Sequence, residues 1–315
     1  MNEKERLLCY YANRRSMFYH HGEDFSLFPY RTIEELKANS FNMVTCSQSE
    51  IVHRFDYDGF TRIYNKDSYL TVVKQWNEYL GNPKKLLVIR PPHPFDYDLL
   101  GEHETVTVEE LARDNSLLME CDTLLGDDED VYRLALLMYR HNIPHRITKA
   151  VVLQDNDYDR AVRAGKVLGC KAEEIRYLPE TGLLLGKKKN GCFETDGYHL
   201  EIIEPSGEKE VADGQYGIMA VTKYGDFAQP IIRYRTEWFT RKNRDGKLEG
   251  ECVRYPFTGE EKLKGLAYQY PTVAGLIIKG NEVTLEVIEE IDLQELNYKL
   301  EKNRLDYHIN EQTVI

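Results

Sequence analysis

The chain has 315 residues with 53 Asp or Glu against 41 Lys or Arg, so its formal net charge is −12. This balance argues against a general nucleic-acid binder, which needs a concentrated basic face. The contents of 42% hydrophobic and 30% charged residues are typical of a globular protein. No apolar run reaches the roughly 18 to 20 residues of a membrane span. The N-terminal segment is charged where a signal peptide is apolar. We therefore expect a cytoplasmic protein with no membrane span, and the six widely spaced cysteines indicate buried free thiols.

Helical signals dominate the first 80 residues. They predict one helix over roughly 2–20 and another over 66–80. A helix between them is predicted to begin at Thr32, which can form a capping box with Glu35. The helix over 66–80 is the clearest, because Asn65 can cap its start and Gly81 can end it. Its apolar residues recur at helical spacing, which indicates one face against a core.

A βαβ pattern follows in the middle of the chain. Short apolar runs predict buried strands, and the segments between them predict helices. The predicted elements are a strand over 86–90, a helix from Gly126 to about His141, a strand over 149–154, a helix ending at Gly169, and a strand near 174–178. Strand, helix and strand at this spacing indicate a parallel sheet.

Beyond residue 190 the pattern becomes antiparallel. Strand-like runs cover 198–203, 217–224, 230–241 and 249–255, with turn signals between them. A strand pair around Lys279–Asn281 and a helix from about Asp292 end the chain. We predict a mixed α/β fold with a parallel-sheet βαβ core and an antiparallel β meander over 1–240, and a small α+β C-terminal domain over 241–315.

Several polar clusters do not support a metal site. Asp155, Asp157 and Asp159 are spaced like calcium ligands, but Arg160 and Lys166 stand where an EF-hand loop needs Gly and Glu. Helix capping after a strand explains these aspartates better.

The histidines and the basic run are no stronger. His141 and His145 are four residues apart, but Pro144 breaks the helix between them and no Glu follows the first. His93, between prolines, and the run Lys187–Lys189 carry no motif. We interpret them as surface or turn residues.

Two segments are informative together. Tyr177–Gly182 ends a predicted sheet strand, where open α/β sheets bind ligands, and its carboxylate, Glu180, could hold a magnesium ion that bridges phosphates. Residues 228–236 contain Arg233 and Arg235 after a turn. A plain strand exit and a strand with outward arginines are the alternative interpretations.

These segments belong to a longer pattern that resembles the adenylate-forming enzymes, closest to the phenylacetate–CoA ligase and acyl-protein synthetase branch. The stretch 213–222 followed by Pro230–Thr236 is similar to that family's "GE-hydrophobic-VVT" and "P-L-I-R-Y-R-T-G-D" signature, and Tyr177–Gly182 is similar to its "Y-G-x-T-E" element. Weaker similarities cover 28–37, 64–76 and 192–204.

The resemblance implies ATP-dependent activation of a carboxylic acid to an acyl-adenylate, with transfer to the thiol of CoA or of a protein. It implies ATP and Mg²⁺ as cofactors, Glu180 and Arg235 as catalytic residues, and Glu180 as the metal ligand. The cofactor-binding residues that it implies are Gly59, Thr61, Tyr177, Thr181 and Glu237.

The chain also departs from the family pattern. The Ser/Thr/Gly-rich phosphate loop should fall at about 54–63, where only Gly59 and Thr61 could serve and Asp56 and Asp58 would repel phosphate. The family's ribose-binding Asp is replaced by Trp238, and Glu237 would face the other side of a strand.

The C-terminal region departs as well. The family carries a mobile C-terminal domain with a catalytic Lys, for which Lys279 is only a weak candidate here. Three hypotheses stay open: a divergent ligase, a catalytically inactive pseudoenzyme that binds or scaffolds in a biosynthetic pathway, and an unrelated α/β protein with chance matches. The kinship with the ligases depends on Glu180 and Arg235 converging at the edge of the sheet.

Overall fold

The computed structural model describes residues 2–90, 95–153, 159–186, 192–193, 195, 197–207 and 209–313. Its α-helices are α1 Glu3–Arg15, α2 Ile33–Asn39, α3 Lys66–Leu80, α4 Val108–Arg113, α5 Leu117–Glu120, α6 Asp128–His141, α7 Arg160–Leu168, α8 Gly259–Ala267 and α9 Leu293–Lys302. Its strands are β1 Ile51–Tyr57, β2 Phe60–Asn65, β3 Leu86–Ile89, β4 His103–Val106, β5 Thr123–Asp127, β6 Lys149–Leu153, β7 Lys171–Leu178, β8 Leu183–Gly186, β9 Tyr198–Ile203, β10 Gly217–Lys223, β11 Tyr234–Lys242, β12 Leu248–Arg254, β13 Val273–Lys279, β14 Glu282–Val287 and β15 His308–Thr313. The mixed α/β class predicted from the sequence is confirmed.

The chain forms two compact units. The first comprises residues 1–81, 93–101 and 175–255, and the second 82–92, 102–174 and 256–315. The predicted domains, a core over 1–240 and a small C-terminal domain over 241–315, stay a prediction.

In the first unit, α3 forms as its sequence predicts. Asn65 accepts a hydrogen bond from the Ser68 N–H at the start of the helix, and Gly81 ends it in the left-handed region at φ 76°. Val72 and Trp76 are fully buried on one face. Capping and apolar spacing therefore suffice to define this helix.

The antiparallel meander is also confirmed. Its order is β12-β11-β10-β9, each strand paired with its sequence neighbour. One face buries an apolar cluster that includes Met219, Val221 and Trp238. β11 begins four residues later than predicted, because Arg233 adopts a left-handed backbone at φ 53° just before it.

In the second unit, parallel strands lie in the order β4-β3-β5-β6. Residues 171–174, the first half of β7, also belong to this unit, and residues 175–178 belong to the first. The βαβ prediction is confirmed, but the start of α6 is shifted. Residues 126 and 127 belong to β5, and the Asp127 carboxylate caps the helix by accepting from the Asp130 N–H at 2.8 Å. Asp127 is therefore both the last residue of β5 and the N-cap of α6.

The second unit also holds β13, β14, β15, α8 and α9, which enclose a core of their own. The Arg160 guanidinium attaches this part to α6 and α7. It lies 3.9 Å from the ring centre of Tyr268 and 4.8 Å from that of Tyr132, and it donates to the Ala274 carbonyl. Tyr132 also donates to the Pro271 carbonyl at 2.6 Å.

No helix within the described residues is long and apolar enough to cross a membrane. Cys9, Cys46, Cys121 and Cys170 are free thiols.

Candidate functional site

The predicted site lies in the first unit, at the carboxyl end of β7. The chain turns over Pro179–Gly182, with the Thr181 N–H donating to the Leu178 carbonyl at 3.2 Å. Gly182 has φ 60°, and a side-chain carbon there would stand 3.3 to 3.4 Å from Val72, Lys223 Nζ and Tyr64 Oη. The turn therefore requires glycine for its backbone and for the space around it.

Glu180 presents a buried carboxylate at this turn. Its Oε2 atom has no hydrogen-bond partner among the described residues. Burial raises the pKa of the Glu180 carboxyl, the interactions with its own backbone N–H and with Tyr57 oppose the rise, and the Glu237 carboxylate adds to it. Tyr57 and Glu180 thus affect each other without a hydrogen bond of ordinary geometry. A cation would relieve the repulsion between the two carboxylates.

Tyr177 belongs to an aromatic group beside the turn. Its ring centre lies 5.5 Å from that of Trp76 and 5.4 Å from that of Phe95. Burial raises the pKa of the Tyr177 hydroxyl well above its usual value, and the charges of Asp96 and Glu180 add to the effect. The hydroxyl stays protonated at neutral pH and can serve as a hydrogen-bond donor.

Thr181 is fully buried behind the turn. Its hydroxyl donates weakly to the Leu178 carbonyl at 3.4 Å, and its own carbonyl accepts from Lys223 Nζ at 2.9 Å. The predicted phosphate contact would require this hydroxyl to leave that position.

The two residues proposed as catalytic are not joined by any interaction within the described part of the chain. The Arg235 guanidinium donates to the Pro205 carbonyl, whereas the charged groups that act on Glu180 are Glu237 and Arg254. Glu237 lies with its Oε2 atom 3.6 Å from Arg254 Nε. The Glu237 carboxylate thus raises the pKa of Glu180 and the Arg254 guanidinium lowers it, and these two residues contact each other.

Trp238 is the residue that the sequence resemblance places opposite the family's ribose-binding Asp. It is 3% exposed and packs in the apolar cluster of the meander. The pairing of β10 and β11 shifts register between Ile218 and Ala220, so β11 bulges here. The side chain at this position contributes to the core.

The segment 54–63 is a β-hairpin. Arg54 pairs with Ile63 and Tyr57 with Phe60, and the turn consists of Asp58 and Gly59, both with positive φ. This is the two-residue hairpin turn that Asp-Gly favours. No open loop remains between β1 and β2.

The hydroxyl and the acidic groups of this hairpin are engaged. Thr61 donates to the Asp56 carboxylate at 2.6 Å, and Lys37 contacts Asp58 at 2.5 Å. In the structure Gly59 forms part of the hairpin turn, and Thr61 is hydrogen-bonded to Asp56. Their contacts with phosphate stay predictions.

The sequence analysis missed a buried ionic cluster next to the turn. Asp226 accepts from the Arg62 guanidinium and lies 3.6 Å from Lys223 Nζ. Arg62 also donates to the Gln229 carbonyl at 2.9 Å. Arg62, Asp226 and Lys223 are nearly inaccessible to solvent. Burial, followed by the charge of Arg62, lowers the pKa of Lys223 well below its usual value.

A second missed group surrounds His53. Its Nε2 atom lies 2.9 and 3.0 Å from the two Asp96 carboxylate oxygens, and its Nδ1 atom 3.8 Å from Asp98. These three residues are the one group in the described part of the chain with the arrangement of potential metal ligands. His141 and His145 do not belong to it.

Other polar residues that the sequence singled out form no site. Asp159 occupies the N-cap position of α7 without a capping hydrogen bond from its side chain. Lys279 is exposed at the end of β13. Asp155, Asp157, His93 and Lys187–Lys189 lie outside the described residues.

No protein-family model matches the chain, and no sequence among the curated proteins matches it. Solved structures do. The chain is similar to 2-hydroxyisobutyryl-CoA ligase in the postadenylation state in complex with R3-HIB-AMP, with a TM-score of 0.72 and 13% identity over 99% of this chain and 84% of that one.

Two further structures extend the similarity. The amide bond synthetase McbA from Marinactinospora thermotolerans has a TM-score of 0.55 and 12% identity over 85% of this chain and 65% of that one. A benzoate CoA ligase from Burkholderia xenovorans LB400 has a TM-score of 0.54 and 10% identity over 81% of this chain and 63% of that one.

The chain therefore has the fold of the adenylate-forming ligases. The resemblance drawn from its sequence is confirmed at that level, and the hypothesis of an unrelated fold is wrong. The phenylacetate–CoA ligase and acyl-protein synthetase branch stays a prediction.

Proposed function

We propose that this protein is a catalytically inactive member of the adenylate-forming fold that binds a carboxylic acid at the carboxyl end of β7 and does not adenylate it. The hairpin over 54–63 carries the proposal. ATP chemistry depends on donors aimed at the phosphates, and removing one such donor typically costs roughly 10²- to 10³-fold in rate. At 54–63, where the resemblance places the phosphate loop, a hairpin turns over Asp58 and Gly59 alone.

The electrostatics of the hairpin support the same conclusion. Asp56 and Asp58 place carboxylates where polyphosphate would need positive charge, and Thr61 already donates to Asp56. Trp238, buried in the meander, offers no acceptor to ribose hydroxyls. At the open end of the site, Arg254 supplies a guanidinium that can meet the carboxylate of a bound acid.

The second candidate is a divergent ligase that forms an acyl-adenylate and transfers it to the thiol of CoA or of a carrier protein. The fold favours it, and so does Glu180, whose buried Oε2 atom and neighbour Glu237 fit a hard cation such as Mg²⁺. In that case Glu180 would hold the metal that neutralises phosphate charge. Tyr177 and Thr181 would border the nucleotide.

Calorimetry and pyrophosphate exchange separate the two candidates. We expect a carboxylic acid from a panel of short aliphatic and aromatic acids to bind without ATP, and we expect no heat with millimolar ATP and Mg²⁺. Because a ligand that binds only the folded state raises its stability by mass action, a thermal shift provides a second readout. Acid-dependent exchange of pyrophosphate into ATP would establish the ligase and refute the inactive protein.

A matched variant sharpens this comparison. Glu180→Gln removes the charge that a magnesium ion needs but keeps the side-chain shape. The ligase predicts loss of exchange activity in this variant, whereas the inactive protein predicts acid binding with no effect of Mg²⁺ in either form.

A further inference from the structure

His53, Asp96 and Asp98 form a group of potential metal ligands that the proposed function does not use. Each offers one nitrogen or carboxylate oxygen within 4.8 Å of the others, and this is the one such group among the described residues. All three residues belong to the first unit. Imidazole nitrogen and carboxylate oxygen are ligands that zinc and similar divalent ions bind in proteins.

Asp96 determines which nitrogen of His53 is available to a metal. The two Asp96 carboxylate oxygens lie 2.9 and 3.0 Å from His53 Nε2, so we assign the ring proton to this nitrogen, which donates it to the carboxylate. The Asp96 side chain is only 2% exposed, which holds this contact in place. A neutral imidazole in this tautomer keeps a lone pair on Nδ1. Histidine ligands of metals almost always donate their other N–H to a carboxylate, a carbonyl or water in this way.

Asp98 approaches His53 from the Nδ1 side. Its carboxylate lies 3.8 Å from Nδ1, which is too long for a direct hydrogen bond. Two ligand atoms that are each about 2.0–2.1 Å from one zinc ion are about 3.4 Å apart at a tetrahedral angle. Because the Asp98 side chain is 76% exposed, a small rotation of this side chain can close the difference. The gap between the two atoms therefore has the width of one bound ion.

Both ligands are held by defined elements. His53 pairs with Tyr64 across the β1–β2 hairpin, and its ring centre lies 5.7 Å from that of Tyr64 and 5.3 Å from that of Tyr69. Asp98 lies in a short 3₁₀ turn over Tyr97–Leu99, and its carbonyl accepts from the Tyr69 hydroxyl at 2.9 Å. The backbone of both ligands is thus positioned before an ion binds, which lowers the entropic cost of binding.

The number of ligands defines an open site. Structural zinc sites have four protein ligands, whereas catalytic zinc sites keep a position open for water or substrate. We propose that His53 and Asp98 bind one divalent ion of the zinc class, and that Asp96 is the positioning residue that holds the imidazole. The remaining coordination positions are open to water or to an anion. Binding of this ion does not depend on the proposed binding of a carboxylic acid.

The alternative is an ordinary ion pair, in which a protonated His53 lies between two carboxylates and no metal binds. Calorimetry with Zn²⁺ on the intact chain, in a buffer without chelating groups, separates the two interpretations. We expect one Zn²⁺ ion to bind per chain, and NMR of nitrogen-labelled histidine to show the metal on Nδ1 and the proton on Nε2 of His53. Absence of saturable Zn²⁺ binding, or a metal on Nε2, would overturn the proposed site.

Substitutions localise the ion. Asp96→Asn keeps an acceptor for the Nε2 proton and removes only the charge, so we expect Zn²⁺ affinity to fall about 10- to 100-fold while the proton stays on Nε2. His53→Ala and Asp98→Asn each remove a direct ligand and should weaken binding at least as much. Since Asp98 is exposed, we expect Asp98→Asn to keep the fold, which circular dichroism verifies.

A matched control uses a histidine outside the group. His141 is exposed at the end of α6, and His141→Gln should bind Zn²⁺ as tightly as the unchanged protein. If Asp98→Asn also retains full affinity, or if His141→Gln loses as much as His53→Ala, the ion binds elsewhere and the assignment of these ligands is wrong.

Discussion

The buried ion pair of Arg62 and Asp226 gives a demanding test of the structure. Arg62 is fully buried and Asp226 is 1% exposed, so neither charge can be solvated when its partner is removed. Removing one member of such a pair typically costs about 3–5 kcal/mol. Arg62→Met also deletes the hydrogen bond to the Gln229 carbonyl, so we expect about 4 kcal/mol for it and about 3 kcal/mol for Asp226→Asn.

The double variant tests the coupling. Arg62→Met with Asp226→Asn leaves neither charge unpaired, so its cost should fall short of the sum of the single costs by at least about 2 kcal/mol. Urea unfolding followed by circular dichroism gives the free energies. Lys74→Met, in an exposed pair with Glu78 at 3.8 Å, is the control and should change stability little. Additive costs, or a single cost below about 1 kcal/mol, would refute the buried pair.

Two further predictions concern other buried cations. Lys223 has a pKa below its usual value, so between that lowered pKa and about 10.4 the unfolded state binds more protons, and stability should increase with pH in this window. Lys223→Met should flatten the dependence of the urea midpoint on pH, and an unchanged slope would contradict the assignment. Arg160→Ala removes two aromatic contacts and the hydrogen bond to Ala274, and we expect it to cost about 3 kcal/mol in urea unfolding. Arg160→Lys keeps the charge and should lose less than Arg160→Ala; an equal loss would contradict a contribution of the charge.

Helix caps, apolar spacing and turn signals in the sequence were enough to predict the elements that carry them. The caps Asn65 and Gly81 and the apolar spacing between them define α3, and the turn signals define the meander. The βαβ strands were recognised because they are short continuous apolar runs. β4 and β15 were missed because they are short and carry no strong periodicity of their own. α8 was missed although Thr258 and Glu261 form a capping box at its start.

The candidate site was likewise predictable only in part. The motif at Tyr177–Gly182 located the carboxyl end of β7, but its partners could not be read from one sequence. Arg254 contacts Glu237 only through the pairing of β12 with β11, and Asp226 reaches Arg62 across 164 residues of chain. The resemblance implied that Arg235 lies beside Glu180, and this stays a prediction; a motif does not encode the Pro205 carbonyl, which accepts a hydrogen bond from Arg235 in the structure.

The guanidinium of Arg160 has a mechanical consequence. It lies between Tyr132 of α6 and Tyr268 after α8, and Lys264 of α8 contacts Glu129 at 2.8 Å. A swivel of α8 and its neighbouring strands away from α6 would have to extract a desolvated cation from between two rings. We therefore expect α8, α9 and the strands β13 to β15 to move together with α6 and α7 as one body, because separating them would expose the Arg160 charge to a gap between two aromatic rings.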